Sequence, residues 1–130
     1  IKTNNRTILN KELFTGMFET SLEDNEIITS VEIQIPSFFN YLKFPNPASR
    51  YAIVGVAIAK YEKEVFVAIS GASHTPFIAE KLSQVLSDNF SDDIPLKTIS
   101  MNELNDDIHA SAEYRSNLID VLTKEAIKSY

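Results

Sequence analysis

The chain has no cysteine. That excludes disulfides, thiol catalysis and an iron–sulfur cluster held by its own thiolates, and it suits a reducing compartment. No apolar run approaches the ~18 residues that mark a membrane span. The first residues, IKTNNRTI, do not read as a signal peptide. They lack an initiator methionine, so the chain reads as a fragment or a processed polypeptide. An excess of basic residues is also missing. The formal net charge is −6, which argues against nucleic acid as a partner, because binding there rests on neutralising phosphates. There is no phosphate-cradling loop and no dinucleotide glycine fingerprint. His74 and His109 have no ligand at metal-binding spacing. Ser70-Gly71-Ala72-Ser73 lacks the glycine pattern of a nucleophile elbow. Asp92-Asp93 and Asp106-Asp107 read as solvated faces, and Arg115 reads as a structural ion-pair former. The residues taken alone supply no catalytic constellation.

What is present is one core's worth of apolar sequence. At 130 residues the chain is one domain by length. Such a chain buries roughly two-thirds of its unfolded surface. Its hydrophobic content of 44% is too high for disorder. The stretch 41–90 organises the rest. AIVGVAIA (52–59) and VFVAI (65–69) flank a short charged connection, which predicts an antiparallel hairpin. Consecutive apolar positions mean that both faces are covered, or that one is covered and the other meets a partner. Thr75 as N-cap and Pro76 at the first helical position predict a helix over 76–88, with Phe77, Ile78, Leu82, Val85 and Leu86 toward the sheet.

Upstream, EIITSVEIQIP (26–36) has the period-2 signature of a half-buried strand. Residues 37–50 read as a connection with its own packing, in which Phe38 and Phe39 fill core gaps. Residues 12–18 read as a loop pinned by Phe14 and Phe18. Downstream, 94–101 is ambiguous and 102–109 reads as a short helix. The last element is a helix over 113–128 with Ser111 as N-cap and Tyr114, Leu118, Val121, Leu122 and Ala126 on its buried stripe. The expected fold is α+β: a three-stranded antiparallel sheet from 26–35, 52–60 and 65–70, with helices packed on one face.

Several short motifs occur in a telling order. They are Phe14-x-Gly16, Thr20-x-Leu22, Glu26-Ile27-Ile28-Thr29-x-Val31 ending at Pro36, Tyr41-x-Lys43, Pro47-Ala48-Ser49-Arg50-Tyr51-Ala52, Val56-Ala57, Ala68-x-x-Gly71 with Pro76, and Ser111-Ala112-Glu113-Tyr114-Arg115. In this order they resemble the C-terminal domain, and the segment before it, of the FAD-carrying medium subunits of molybdenum hydroxylases, the group of aerobic CO dehydrogenase and xanthine dehydrogenase. The resemblance covers most of the chain. One departure is Gly71-Ala72, where relatives often carry Gly-Gly; it bears on the tightness of a turn.

The resemblance implies a CO dehydrogenase flavoprotein C-terminal-like fold, with 1–40 closing the second subdomain of the FAD-binding region and 41–130 forming the C-terminal domain. It implies an oxidoreductase component that passes electrons from iron–sulfur clusters through FAD to an acceptor. The molybdenum cofactor and the clusters would sit in a large and a small partner subunit. The setting would be cytoplasmic. Two positions match flavin-contacting positions of the family: Ile28, an aliphatic residue against the cofactor, and Lys43, a lysine at the flavin. A fixed cation there would favour the reduced ring. The glycine-rich FAD loops of the family are absent here, so the isolated chain is expected to be inactive. The alternative reading is a non-catalytic α+β interaction or dimerisation domain without flavin.

Overall fold

The computed structural model describes residues 1–95 and 98–130. They form two compact units, Ile1–Ile35 and Pro36–Tyr130.

In the first unit β1 (Lys2–Thr3) pairs antiparallel with β4 (Ile28–Ser30). Between them lie a single helical turn, α1 (Asn10–Leu13), and a small hairpin of β2 (Phe14–Gly16) and β3 (Glu19–Thr20). Ile8 and Leu13 are its buried apolar residues, whereas Phe14 and Phe18 are exposed. The two phenylalanines therefore do not pin this loop. Phe18 sits at the hairpin turn with φ 59°, and its ring points away from any core.

The hub of the unit is polar. The buried Glu26 carboxylate accepts from Arg6 Nε and Nη2 at 2.9 Å each, from Thr3 Oγ1 at 2.7 Å and from the Glu23 amide at 3.0 Å. The Arg6 hydrogen bond, seconded by Thr3, lowers its pKa from 4.5 to about 2. Because the folded value is depressed, the stability Glu26 contributes is complete above about pH 4.5 and is lost as pH falls toward about 2. Amide protection of the first unit should collapse across that window. In Glu26→Gln the acid limb should flatten and neutral-pH protection should fall. An acid limb identical in both chains would show that this hub does not hold the unit.

The expected strand over 26–35 is confined to Ile28–Ser30. The alternation is real, but among the described residues no neighbouring strand continues it. Val31, Ile33 and Ile35 are exposed by 57%, 76% and 90%.

The second unit carries a four-stranded antiparallel sheet in the order β5-β6-β7-β8: β5 (Phe38–Pro45), β6 (Ala52–Lys60), β7 (Val65–Ser70) and β8 (Phe77–Ile78). This corrects the three-stranded expectation. β6 and β7 form the predicted hairpin at the predicted boundaries, while the stretch 26–35 is replaced by two other strands. β5 was hidden by Pro45 and Pro47, which read as a connection. Pro45 in fact closes an edge strand, the place where a missing N–H is tolerated. β8 was hidden by the Thr75-Pro76 cap signal. Phe77 and Ile78 pair with Ile69 and Ala68 instead, and this tertiary pairing delays the helix. α2 (Glu80–Asp88) begins after Ala79 with no side-chain cap. Its serines serve the sheet: Ser83 Oγ and Ser87 Oγ accept the Val67 and Val65 amides at 2.9 and 2.8 Å.

The predicted short helix at 102–109 shrinks to one 3-10 turn at Met101–Glu103. The ambiguous stretch 94–101 lies partly outside the described residues; within it Ile94 and Ile99 join the core. α3 (Ala112–Ile127) starts as predicted, with Ser111 Oγ accepting the Tyr114 amide at 3.2 Å. Its buried stripe overlaps the expected one at Ala126, with Leu118 and Leu122 half-buried against the core, but is centred elsewhere. Arg115, Ser116, Ile119, Asp120, Thr123, Ala126 and Ile127 are buried, and Tyr114 and Val121 are exposed. Hydropathy misplaces this stripe because several of its members are polar side chains with internal partners, such as Thr123 Oγ1 donating to Ile119 O at 2.7 Å.

The register places Val54, Val56 and Ile58 of β6 beside Val65, Val67 and Ile69 of β7 on one face. Leu82 and Leu86 of α2 and Ile119 of α3 pack into the same cluster. The helices thus cover one face of the sheet, as expected.

Candidate functional site

The other face is built from the alternate positions. Three rows cross it, defined by the register: Lys43, Gly55 and Ser70; Tyr41, Ala57, Ala68 and Ile78; Phe39, Ala59 and Phe66. Phe39, Tyr41 and Phe66 are 61%, 44% and 42% exposed. Tyr41 leans over the glycine: a Cβ at Gly55 would lie 2.5 Å from Tyr41 Oη. The expectation that Phe38 and Phe39 both fill core gaps holds for one of them. Phe38 packs edge-on against Phe90 and Tyr130, and Phe39 points to solvent.

Lys43 stands at the end of this open face. Its Nζ donates to Arg50 O at 3.1 Å. Among the described residues no carboxylate pairs with it. The loop that supplies Arg50 O is held firmly. Asn46 Oδ1 accepts the Ala48 and Ser49 amides at 2.9 and 3.2 Å, and the Asn46 amide donates to Tyr51 O at 2.7 Å. Arg50 itself adopts φ 65°, in the left-handed region. Lys43 is therefore an exposed cation on a defined backbone. Ile28 lies in β4 of the first unit, 40% exposed beside the more exposed Ile27. That excludes ordinary core packing for Ile28 within this chain. Ile28 and Lys43 thus lie in different units, each exposed.

A brace lies beside the loop, and of it the sequence showed only that Arg115 forms an ion pair. Arg115, 3% exposed, donates from Nη1 to Ile53 O at 2.6 Å and to Gly71 O at 3.2 Å, and from Nη2 to Asp107 Oδ2 at 2.7 Å. Its structural role matches the sequence reading. Asp107 matches in part. It is exposed, as the sequence reading has it, but it also accepts the His109 and Ala110 amides at 2.9 and 3.1 Å. Partial burial pushes the Asp107 carboxyl up, and the His109 and Ala110 amides with Arg115 more than reverse this, leaving it below the ordinary aspartate value. His109 Nδ1 lies 3.3 Å from Asn46 Nδ2, which ties the brace to the Lys43 loop. A shallow cleft of about 200 Å³ opens between Asn46, Ser49, Tyr51, His109 and Arg115. No group of three or more metal-ligating side chains occurs among the described residues. None of the described helices is long and apolar enough to cross a membrane.

Comparison with known proteins returns a consistent set. No protein-family profile matches the chain. It is 29% identical over 135 residues to the glyceraldehyde dehydrogenase medium chain of Sulfolobus acidocaldarius, covering 95% of this chain and 48% of that one. It is 31% identical over 135 residues to the nicotine 6-hydroxylase medium subunit of Paenarthrobacter nicotinovorans, covering 94% and 47%. The chain thus spans about half the length of these curated relatives. Its fold matches a cyanide-inactivated Cu,Mo-CO dehydrogenase with a TM-score of 0.63 at 19% identity, covering 90% of this chain and 46% of the other. It matches a reconstituted CO dehydrogenase from Oligotropha carboxidovorans with a TM-score of 0.66 at 19% identity and the same coverage. The resemblance carried by the ordered motifs is therefore borne out: this chain is similar, over nearly its whole length, to a domain of the medium subunit of molybdenum hydroxylases.

Proposed function

We propose that this chain is part of the FAD-carrying medium subunit of a molybdenum-containing hydroxylase or dehydrogenase. The observation that carries the reading is its similarity to two proteins named as medium subunits across 94–95% of its length. The expected boundary at 40/41 falls inside β5, so in this reading residues 1–35 close the FAD-binding domain and 36–130 form the C-terminal domain. The exposed alternation of Val31, Ile33 and Ile35 supports that division, because a strand with such a pattern belongs in a larger sheet. The partners in this reading are the FAD-binding part of the same subunit, an iron–sulfur small subunit and a molybdenum large subunit.

When bound, FAD supplies the redox chemistry that passes electrons from the clusters to an acceptor. This chain contributes surroundings. Ile28 offers an aliphatic surface to the ring. Lys43 offers a fixed positive charge, placed by the β5 backbone and steadied through Arg50 O. A unit charge ~5 Å from the ring contributes on the order of 3 kcal/mol at an effective dielectric of about 20, and roughly 1 kcal/mol after screening.

Lys43→Met in the FAD-loaded subunit should therefore lower the flavin reduction potential, with the fold little changed because the side chain is exposed. Redox titration of wild-type and variant subunits checks this. The interaction-domain reading predicts no flavin in the wild-type protein at all. An unaltered potential in a well-folded, loaded variant removes the role assigned to Lys43 and leaves the subunit assignment standing.

A further inference from the structure

We infer that His109 is a positioning residue for Lys43, and that it holds the Lys43 loop only while its imidazole is neutral. Its bearing on a flavin rests on the medium-subunit reading; its mechanics rest on the second unit alone. The loop between β5 and β6 leaves the Asn46 side chain one orientation. Oδ1 accepts the Ala48 and Ser49 amides at 2.9 and 3.2 Å, so Nδ2 faces outward as a donor. The atom it meets, at 3.3 Å, is His109 Nδ1. Two donors cannot form a hydrogen bond, so Nδ1 is the bare nitrogen and Nε2 carries the ring proton. Turning the Asn46 amide over would break both loop hydrogen bonds. The imidazolium, with a proton on each nitrogen, sets N–H against N–H. The clip therefore opens when His109 is protonated.

The two sides of the clip differ in how they are held. His109 sits in a tight turn closed by the pairing of Asp107 with Ala110. Asp107 Oδ1 accepts the His109 amide at 2.9 Å, and its Oδ2 accepts from the buried Arg115 at 2.7 Å. This side is fixed to the core. The other side is the exposed stretch 47–51, which hangs on Asn46. Asn46 O accepts the Arg50 amide at 2.9 Å, and the Asn46 amide donates to Tyr51 O at 2.7 Å. Arg50 O in turn receives Lys43 Nζ at 3.1 Å. His109 thus acts on Lys43 through Asn46 and Arg50. The charged and titratable groups around the ring are Asp107, Arg115 and Tyr51 in the shared cleft, and Lys43 and Arg50 on the loop side. Asp106 lies on the same turn, its carboxylate accepting the Ala112 amide at 3.4 Å. Of these residue types only histidine ordinarily changes charge between about pH 5 and 8. The hold on the loop is therefore present at the upper end of that window and is lost as pH falls through it.

The test uses the polypeptide or complex that naturally contains these residues. Hydrogen exchange of the 48–51 amides, expressed as protection factors, is followed by mass spectrometry at about pH 5.5 and about pH 8. Wild-type protection should be about fivefold higher at the upper pH, the worth of roughly one net hydrogen bond. His109→Ala should show the lower value at both. His109→Gln, whose side-chain carbonyl still accepts from Asn46 Nδ2 and does not titrate, should keep the higher value at both. Asn46→Asp should hold the loop at the lower pH as well, because its second oxygen accepts the imidazolium proton. Exchange of β6 and β7 should match in all four proteins and report an intact sheet. A wild-type loop whose protection does not change with pH, or a His109→Gln loop that still loosens on acidification, would overturn the inference.

The bearing on Lys43 is read from the flavin reduction potential of the same samples at the upper pH. His109→Ala should lower it, and should leave it unmoved once Lys43→Met is in place, because the path runs through that ammonium. An equal shift in both backgrounds, or none in either, would overturn the positioning role. A sample without flavin overturns the medium-subunit reading, and the exchange pattern then decides the clip by itself.

Discussion

Arg115→Met should destabilise the second unit by about 2–4 kcal/mol. The side chain is 3% exposed and ties three elements together: Ile53 at the start of β6, Gly71 in the turn after β7, and Asp107 ahead of α3. Methionine keeps most of the apolar stem and removes every donor. Two backbone carbonyls then lose a charged hydrogen bond, and each buried polar group left unpaired costs about 1–3 kcal/mol. The Asp107 side chain is 41% exposed, so water takes over part of its role. That keeps the loss below the ~5 kcal/mol upper end for breaking a fully buried pair. Arg115→Lys should recover little, since one ammonium cannot reach three acceptors in a fork. Denaturant unfolding followed by helix signal measures it. A midpoint shift worth less than about 0.5 kcal/mol, within the range of ordinary surface changes, would contradict the brace.

Gly71→Ala should cost at least about 3 kcal/mol, through the backbone instead of a side chain. Gly71 has φ 75°, and a Cβ there would sit 2.2 Å from Ala52 O. The left-handed conformation alone costs an L-residue about 1–2 kcal/mol. The clash adds to it, because the obstructing atom is a main-chain carbonyl at the start of a core strand and has nowhere to go. Gly55→Ala makes the contrast. Its Cβ would also come too close to other atoms, at 2.5 Å, but those are the tips of Tyr41 and Ser70, which can rotate away. Thermal melts of the two variants should rank Gly71→Ala far below Gly55→Ala. Equal melting temperatures would mean that the turn has slack. Because Arg115 donates to Gly71 O, the double variant Gly71→Ala, Arg115→Met should fall short of the sum of the single effects.

How much of this was legible before the fold was known differs by element. The β6–β7 hairpin was read at its observed boundaries, because a run of β-branched residues on both sides of a short charged turn admits few other structures. The terminal helix was read from Ser111, whose cap is local chemistry. Its buried stripe was read in part: Leu118, Leu122 and Ala126 do meet the core, but Arg115 and Thr123 are buried with partners from distant or neighbouring backbone, and no hydropathy pattern shows that. β5 was missed because Pro45 ends it and aromatic residues occupy both of its faces. β8 was missed because a strong local helix-start signal at Thr75-Pro76 lost to pairing with β7. The strand at 26–35 failed for the opposite reason. The alternation is present, but among the described residues pairing stops at Ser30, where β1 ends. The Lys43 motif was read through resemblance. Its exposure, its link to Arg50 O and its place at the end of an apolar face came from the structure. The cation is legible in one letter, and its surroundings depend on a register that only the folded sheet defines.

The most direct measurement on the central claim is the flavin content of the natural polypeptide or complex that contains these 130 residues. The purified material is denatured, and the released flavin is identified and quantified per copy of this sequence. The account predicts stoichiometric FAD, and a lower flavin potential when Lys43 is replaced by Met. A folded, intact preparation without flavin would contradict it.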